Sequence, residues 1–213
     1  MINKITLKVC GITSAEDAHA AVAAGADHLG FIFHPASPRA LSAERFAALR
    51  PALPAAKRVA VVVNPAPAQL AAVAGLGFDA FQVHFKADEP MHRIAAWAEA
   101  VGAARLWLAP KLPPEADVAG ELLGVAETFL LDAYHPEKYG GTGETGDWAK
   151  FKRHQEAHPG PTWILSGGLN PENVHAAIAA SGARFIDVNS GVESAPGKKD
   201  RTKLRALALA LGA

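Results

Sequence analysis

Several side chains able to do chemistry stand at the ends of short apolar runs in this 213-residue chain. Cys10 closes the run 5–10 immediately before Gly11, and Lys8, two residues earlier, falls on the same face of an extended strand. A neighbouring ammonium favours the thiolate, which is both base and nucleophile. The plain reading of a lone cysteine is a small buried hydrophobe. Asp132 ends Leu130-Leu131-Asp132 and precedes the glycine-rich segment Tyr139-Gly140-Gly141-Thr142-Gly143, a loop that covers a site or merely connects two elements. For Asp132 itself, proton transfer and simple turn formation both stand. Asp187 lies inside the run 184–188, where an acid must hydrogen-bond to substrate or to core partners.

Two late runs, 162–165 and 184–188, each lead into a small polar turn: Ser166-Gly167-Gly168 and Asn189-Ser190-Gly191. Glycine lets backbone N–H groups approach an anion closely, and a helix starting just beyond adds the positive end of its dipole. Asn170-Pro171-Glu172-Asn173 supplies that start for the first turn, with Asn170 as N-cap and Pro171 at the first helical position. The second turn lacks a helix start and is expected to offer its amides as a loop nest. Arg39, in Ser37-Pro38-Arg39, has the fork that grips a carboxylate, although its position in sequence reads first as a solvated surface arginine. Gln82 and His84 share one face of the fourth run, as substrate contacts or as filling for an interior. His34 and His84 lack a short-spaced set of companion ligands, so no metal is expected.

These groups need a frame. Strand-like runs recur at 5–10, 28–33, 58–63, 80–84, 105–109, 128–131, 162–165 and 184–188, separated by alanine-rich stretches. Helix starts are read at Thr13 with Glu16 as a capping box, at Ser42, Glu89 and Asn170, and at Asp200 ahead of a Leu204/Leu207/Leu211 stripe. The fifth connection, residues 111–127, carries Pro113-Pro114 and a weak apolar pattern, so its helix is expected to be short or absent. Eight βα repeats with phosphate turns after the seventh and eighth strands predict a (β/α)8 barrel, spanning 1–213 as one domain. The Gly-X-Gly-X-X-Gly fingerprint of a dinucleotide-binding open sheet is missing after the first strand.

Composition narrows the partners. Half the residues are hydrophobic, enough for a large core, and 21 basic residues balance 21 acidic ones, so no global field gathers nucleic acid or anionic membrane. A small molecule is the expected partner. The single cysteine forms no internal disulfide, residues 1–8 lack the apolar core of a signal peptide, and no apolar run spans a membrane, which together predict a cytoplasmic protein. Trp97, Trp107, Trp148 and Trp163 are assigned to packing. Apolar helix faces serve a monomer and a homodimer equally well.

Taken in order, Lys8-Val9-Cys10-Gly11-Ile12-Thr13, Gly30-Phe31-Ile32-Phe33 with Ser37-Pro38-Arg39, Leu131-Asp132, Gly140-Gly141-Thr142-Gly143, Leu165-Ser166-Gly167-Gly168 through Asn173, and Asp187-Val188-Asn189-Ser190-Gly191-Val192-Glu193 resemble the phosphoribosylanthranilate isomerase family of tryptophan biosynthesis. The resemblance spans nearly the whole chain and extends to Pro196-Gly197-Lys198-Lys199-Asp200. It implies a cofactor-independent Amadori rearrangement of N-(5-phosphoribosyl)anthranilate, with Asp132 as acid and Cys10 as base. It further implies that Arg39 binds the anthranilate carboxylate, that Gly167, Gly168, Asn189, Ser190 and Gly191 hold the phosphate, and that Asp187 contacts the sugar. Four positions depart from the pattern and are expected at the rim or the loop: Phe85, Leu108, Glu144 and Gly146. The competing expectations are another phosphosugar isomerase or epimerase, a Schiff-base aldolase using Lys8, and a phosphosugar binder without turnover.

Overall fold

The structure is a computed structural model that describes residues 2–135 and 145–213. The segment Tyr139-Gly140-Gly141-Thr142-Gly143 and Glu144 lie outside the described residues. Eight parallel strands close in chain order: β1 (Thr6–Val9), β2 (His28–Ile32), β3 (Lys57–Val63), β4 (Ala80–Lys86), β5 (Leu106–Lys111), β6 (Thr128–Leu131), β7 (Thr162–Leu165) and β8 (Phe185–Val188). The last strand returns to the first with Lys8 opposite Asp187 and Val9 opposite Val188, which seals the barrel. The expected barrel is therefore present, with strand limits within two residues of those read from the apolar runs.

Strands buried on both faces read as continuous apolar runs, because each face meets a different core. Outward residues such as Leu7, Val9, Phe31, Phe81, Val83, Leu108 and Phe129 join helix residues Phe46, Leu70, Trp97, Phe151, Leu204 and Leu207 in one large core. Inward residues form a separate plug of Val59, Ala80, Trp107, Ala109, Leu130, Ile164 and Phe185. Above it, at the C-terminal strand ends, Cys10 packs with Ile32 and Val61. Three tryptophans are buried and Trp148 is partly buried against the outer core, in keeping with packing roles.

Among the described residues seven helices surround the strands: α1 (Ala15–Ala23), α2 (Ala43–Leu49), α3 (Pro67–Ala74), α4 (Met91–Val101), α5 (Trp148–Ala157), α6 (Val174–Ser181) and α7 (Arg201–Ala210). Ser42 and Asp200 cap α2 and α7 as read from sequence, and Leu204, Leu207 and Leu211 are buried. The fifth connection carries only a 3-10 turn, Gly120–Gly124. Three expected starts shift. Ser14, not Thr13, caps α1 by accepting from the Asp17 amide, while the Thr13 hydroxyl donates to the Gly197 carbonyl. Pro90 rather than Glu89 precedes α4, and Glu89 pairs with Arg93 instead. Asn170 does not open α6: its side chain accepts from the Glu172 and Asn173 amides and shapes a turn, and the helix begins at Val174. After β8, Ser190–Val192 forms a 3-10 turn where a loop nest was expected, followed by a hairpin of β9 (Glu193–Ala195) and β10 (Lys198–Lys199). Among the described residues, no helix is long and apolar enough to cross a membrane.

Gly30 marks where the fold makes room for the site. A Cβ added there would lie 2.9 Å from Cys10 Sγ, 3.0 Å from Cys10 Cα and 3.1 Å from Lys8 Cε. Overpacking of this kind costs about 1–3 kcal/mol, so Gly30→Ala should lower the urea midpoint accordingly without changing the slope. An unchanged midpoint would show that β1 and β2 do not approach this closely.

Candidate active site

The inward alternation of the strands brings Lys8, Cys10, Gln82, His84, Asp132 and Asp187 to one end of the barrel. Lys8 is wholly buried and its Nζ donates to Asp187 Oδ2 at 2.7 Å. Burial works against the ammonium, but Asp187 and Cys10 together hold it above its ordinary value. Lys8 is thus a charged, paired group, unsuited to the neutral-amine role of a Schiff-base lysine. Asp187 Oδ1 is sealed from solvent and has no hydrogen-bond partner among the described residues, which leaves it an unused acceptor.

Cys10 is a buried free thiol. The expectation that Lys8 favours its thiolate needs correction in the balance. Burial pushes the thiol up, and Asp187 adds to this. Lys8 and Lys199 pull in the opposite direction without prevailing. Proton affinity is therefore set by lost hydration first and by neighbours second.

Asp132 keeps some contact with solvent, yet its carboxyl lies deep enough in the mouth that burial, reinforced by the like charge of Asp187, lifts it to about 6. The Ala133 amide donates to Oδ1 at 2.9 Å and, with Ser166, restrains the rise. A cavity of about 230 Å³ opens beside it, with Pro110, Leu112, Leu131 and Phe151 among its walls, which accounts for the poor hydration. The turn-forming reading is met by the Ala133 amide, and the same carboxylate also faces the cavity.

Gln82 and His84 are buried on the inner face of β4, and the Gln82 amide donates to His84 Nε2 at 2.8 Å. Burial and the Lys8 charge lower the imidazole to about 3, leaving it neutral.

The two turns expected from sequence to hold phosphate adjoin one another across the ends of β7 and β8. Gly167 and Gly168 adopt φ of +97° and +59°, a left-handed path that favours glycine. The Nδ2 groups of the Asn170 and Asn173 side chains both donate to the Gly168 carbonyl, fixing the turn. Gly191 is required by proximity: a Cβ there would collide with the Leu169 carbonyl of the neighbouring turn. Among the described residues, the amides of Gly167, Gly168, Ser190 and Gly191 have no hydrogen-bond partner, which suits an anion held between both turns.

Arg39 is not a solvated surface residue. It is 8% exposed and grips the Glu193 carboxylate, donating from Nε at 2.9 Å to Oε1 and from Nη2 at 2.6 Å to Oε2. Sequence reading gave no role to Glu193 or to Lys199, which donates to Glu193 Oε1 at 2.9 Å. Arg39, the partner of Glu193, stands 154 positions before it, so no local pattern links them. Two departures from the family pattern also move: Phe85 packs on Trp97 of α4, with ring centroids 5.5 Å apart, and Leu108 joins the outer core, so both face helices rather than the rim. Gly146 does lie at the cavity, where a Cβ would meet the Ser166 carbonyl at 2.7 Å.

Residues 7–209 match the family model of N-(5'-phosphoribosyl)anthranilate (PRA) isomerase. The N-(5'-phosphoribosyl)anthranilate isomerase of Neisseria meningitidis is 38% identical over 207 residues, covering 96% of this chain and 95% of its own. The crystal structure of phosphoribosyl anthranilate isomerase from Thermotoga maritima superposes with a TM-score of 0.82 at 37% identity, covering 97% of this chain and 98% of its own. A further phosphoribosyl anthranilate isomerase structure, solved with reduced 1-(o-carboxyphenylamino)-1-deoxyribulose 5-phosphate, gives a TM-score of 0.78 at 33% identity over 97% of this chain and 98% of its own.

The environment of Asp132 is open to direct measurement. Carboxyl 13C NMR should find its titration midpoint near 6, and Asp187→Asn should lower that midpoint, because removing a neighbouring negative charge favours the ionised form. An Asp132 midpoint near the ordinary aspartate value of about 3.9 would refute this account.

Proposed function

The chain belongs to the N-(5'-phosphoribosyl)anthranilate isomerase family, and we propose that it performs that family's reaction with Asp132 as the acid and Cys10 as the base. The reaction is the Amadori rearrangement of N-(5'-phosphoribosyl)anthranilate to 1-(o-carboxyphenylamino)-1-deoxyribulose 5-phosphate, a step of tryptophan biosynthesis. The small phosphosugar lies between two anchors. The turns at Gly167-Gly168 and Asn189-Ser190-Gly191 hold the phosphate through free amides, and Arg39 receives the anthranilate carboxylate. Asp187 Oδ1 accepts from a sugar hydroxyl, and Gln82 and His84 line the wall between the anchors.

In the first step the furanose C1–O bond breaks. The departing oxygen takes its proton from Asp132 while the anilino nitrogen lone pair forms a C=N bond, giving a cationic iminium. Alkoxide is a poor leaving group, so the step needs a carboxyl still protonated near neutral pH, which the raised value of Asp132 provides. In the second step the Cys10 thiolate removes the C2 proton. The released electron pair forms a C1=C2 bond and discharges the iminium, and the resulting enolamine tautomerises to the ketone. Burial keeps the resting group largely as thiol, which must release its proton to solvent before it can act as the base. The positive charge on the iminium then joins Lys8 and Lys199 in favouring thiolate when the base is needed.

One observation supports these assignments above the others. The Lys8–Asp187 pair acts on both proposed groups, being close enough to Cys10 and to Asp132 to shift each. Sulfur and carboxyl therefore serve one bound molecule. A base that works as a reduced thiol also fits a cytoplasmic location, where thiols stay reduced.

The test follows substrate disappearance by loss of its fluorescence. Cys10→Ala and Asp132→Asn should each reduce kcat by roughly 10²–10⁴-fold, with circular dichroism and affinity for the reduced product analogue retained. Turnover near the wild-type rate in either variant would remove that residue from the mechanism. Turnover of a different sugar phosphate, with none of phosphoribosylanthranilate, would replace the function.

A further inference from the structure

We propose that Glu193 is a positioning residue for substrate recognition: it holds the Arg39 guanidinium in the orientation that receives the substrate carboxylate, and Lys199 ties this support to the phosphate end of the site. The inference rests on the reading of Arg39 given above and extends it to two residues that reading leaves without a task.

Glu193 presents both carboxylate oxygens to one edge of Arg39. Oε1 receives Nε at 2.9 Å, and Oε2 receives Nη2 at 2.6 Å and Nε at 3.1 Å. Only the Nε side of the fork is consumed, since Nη1 has no hydrogen bond among the described residues. An arginine held along one edge presents the other edge at a fixed angle, so a second carboxylate meets a donor pair already oriented. Without that support the side chain samples many rotamers, and binding must bear the cost of ordering it.

The support is itself braced. Lys199 has a fully buried side chain and donates to Glu193 Oε1 at 2.9 Å, to Asn189 Oδ1 at 3.0 Å and to the Asn189 carbonyl at 3.3 Å. One ammonium thereby joins the carboxylate behind Arg39 to the turn that follows β8. The two anchors also meet over the residue after Cys10: a Cβ on Gly11 would lie 2.6 Å from Asn189 Oδ1 and 2.7 Å from Arg39 Cδ. The β9–β10 hairpin is fastened from outside by Thr13 donating to the Gly197 carbonyl and by the Lys199 amide donating to Asp17 Oδ2. The distance between carboxylate and phosphate anchors is therefore set by a rigid element beyond the eighth strand, not by the barrel alone.

A purely structural network would change stability when cut, yet leave KM alone. The experiment compares kcat, KM and thermal midpoint for wild type, Arg39→Ala, Glu193→Ala, Glu193→Gln and the Arg39→Ala/Glu193→Ala double variant. Arg39→Ala should raise KM by about tenfold or more. Glu193→Ala should do likewise with kcat held within about threefold, and Glu193→Gln, which keeps an acceptor of the same shape, should recover part of the loss. In the Arg39→Ala background, Glu193→Ala should raise KM no further, because its effect passes through the guanidinium. An equal rise in both backgrounds, or a lowered midpoint with unchanged KM, overturns the proposal. Should Glu193→Ala not fold, Glu193→Gln decides the matter: weaker binding of the reduced product analogue with unchanged binding of ribose 5-phosphate supports the proposal, and equal weakening of both refutes it. An unchanged KM in Arg39→Ala, with wild type still turning over, defeats the assignment of Arg39 and this proposal together while the isomerase reading stands.

Discussion

The buried ion pair between Lys8 and Asp187 is the interaction on which the rest of this site depends. It lies on the seam where β8 closes onto β1, with the two residues opposite each other in register. Stripping water from two charges is expensive, and their attraction recovers that cost only in good geometry, here 2.7 Å between Nζ and Oδ2. Loss of either partner would strand the other charge in the barrel interior, at a cost of about 3–5 kcal/mol. The pair is also what Cys10 and Asp132 have in common, and it acts on them in opposite senses through its two ends. The ammonium favours an anionic sulfur, and the carboxylate favours a protonated neighbour.

That division explains how two ionisable groups near each other can hold different roles. Both are raised by burial, so desolvation alone would leave both protonated. Asp132 stays close enough to solvent, and to the Ala133 amide, that its rise stops at about 6. Cys10 is the more buried of the two, and there burial raises the thiol while two lysines temper the rise. In the proposed mechanism the acid is thus available near neutrality, while the base depends on positive charge gathered around it, including charge that the substrate develops during reaction.

The anion-binding ends follow a different physical plan. In the proposed binding mode phosphate meets backbone amides whose positions are fixed by glycine geometry and by the Asn170–Asn173 turn, so recognition there needs no flexible side chain. The proposed anchor for the substrate carboxylate is Arg39, a side chain that is flexible by nature and must be held. Glu193 and Lys199, from the hairpin after β8, are placed to supply that restraint, and Phe85 and Leu108, departures from the family pattern, face the helices rather than the site.

Much of the frame was legible in the sequence. Doubly buried parallel strands announce themselves as apolar runs, period-two alternation assigned Lys8 with Cys10 and Gln82 with His84 to the interior, and Gly-Gly after β7 marked an anion turn. Helix starts were less legible, because Ser14 and Thr13, or Asn170 and Asn173, are equally good caps until packing chooses between them. The ordering of elements, the strand ends and the residue types at those ends were determined by the chain's local chemistry alone. Tertiary structure alone decided that Arg39 is buried against a carboxylate 154 positions away, that Lys8 serves Asp187 as well as the thiol, and that burial outweighs the ammonium at Cys10. Each of these is a balance between desolvation and a distant charge, and neither quantity exists until the barrel has closed.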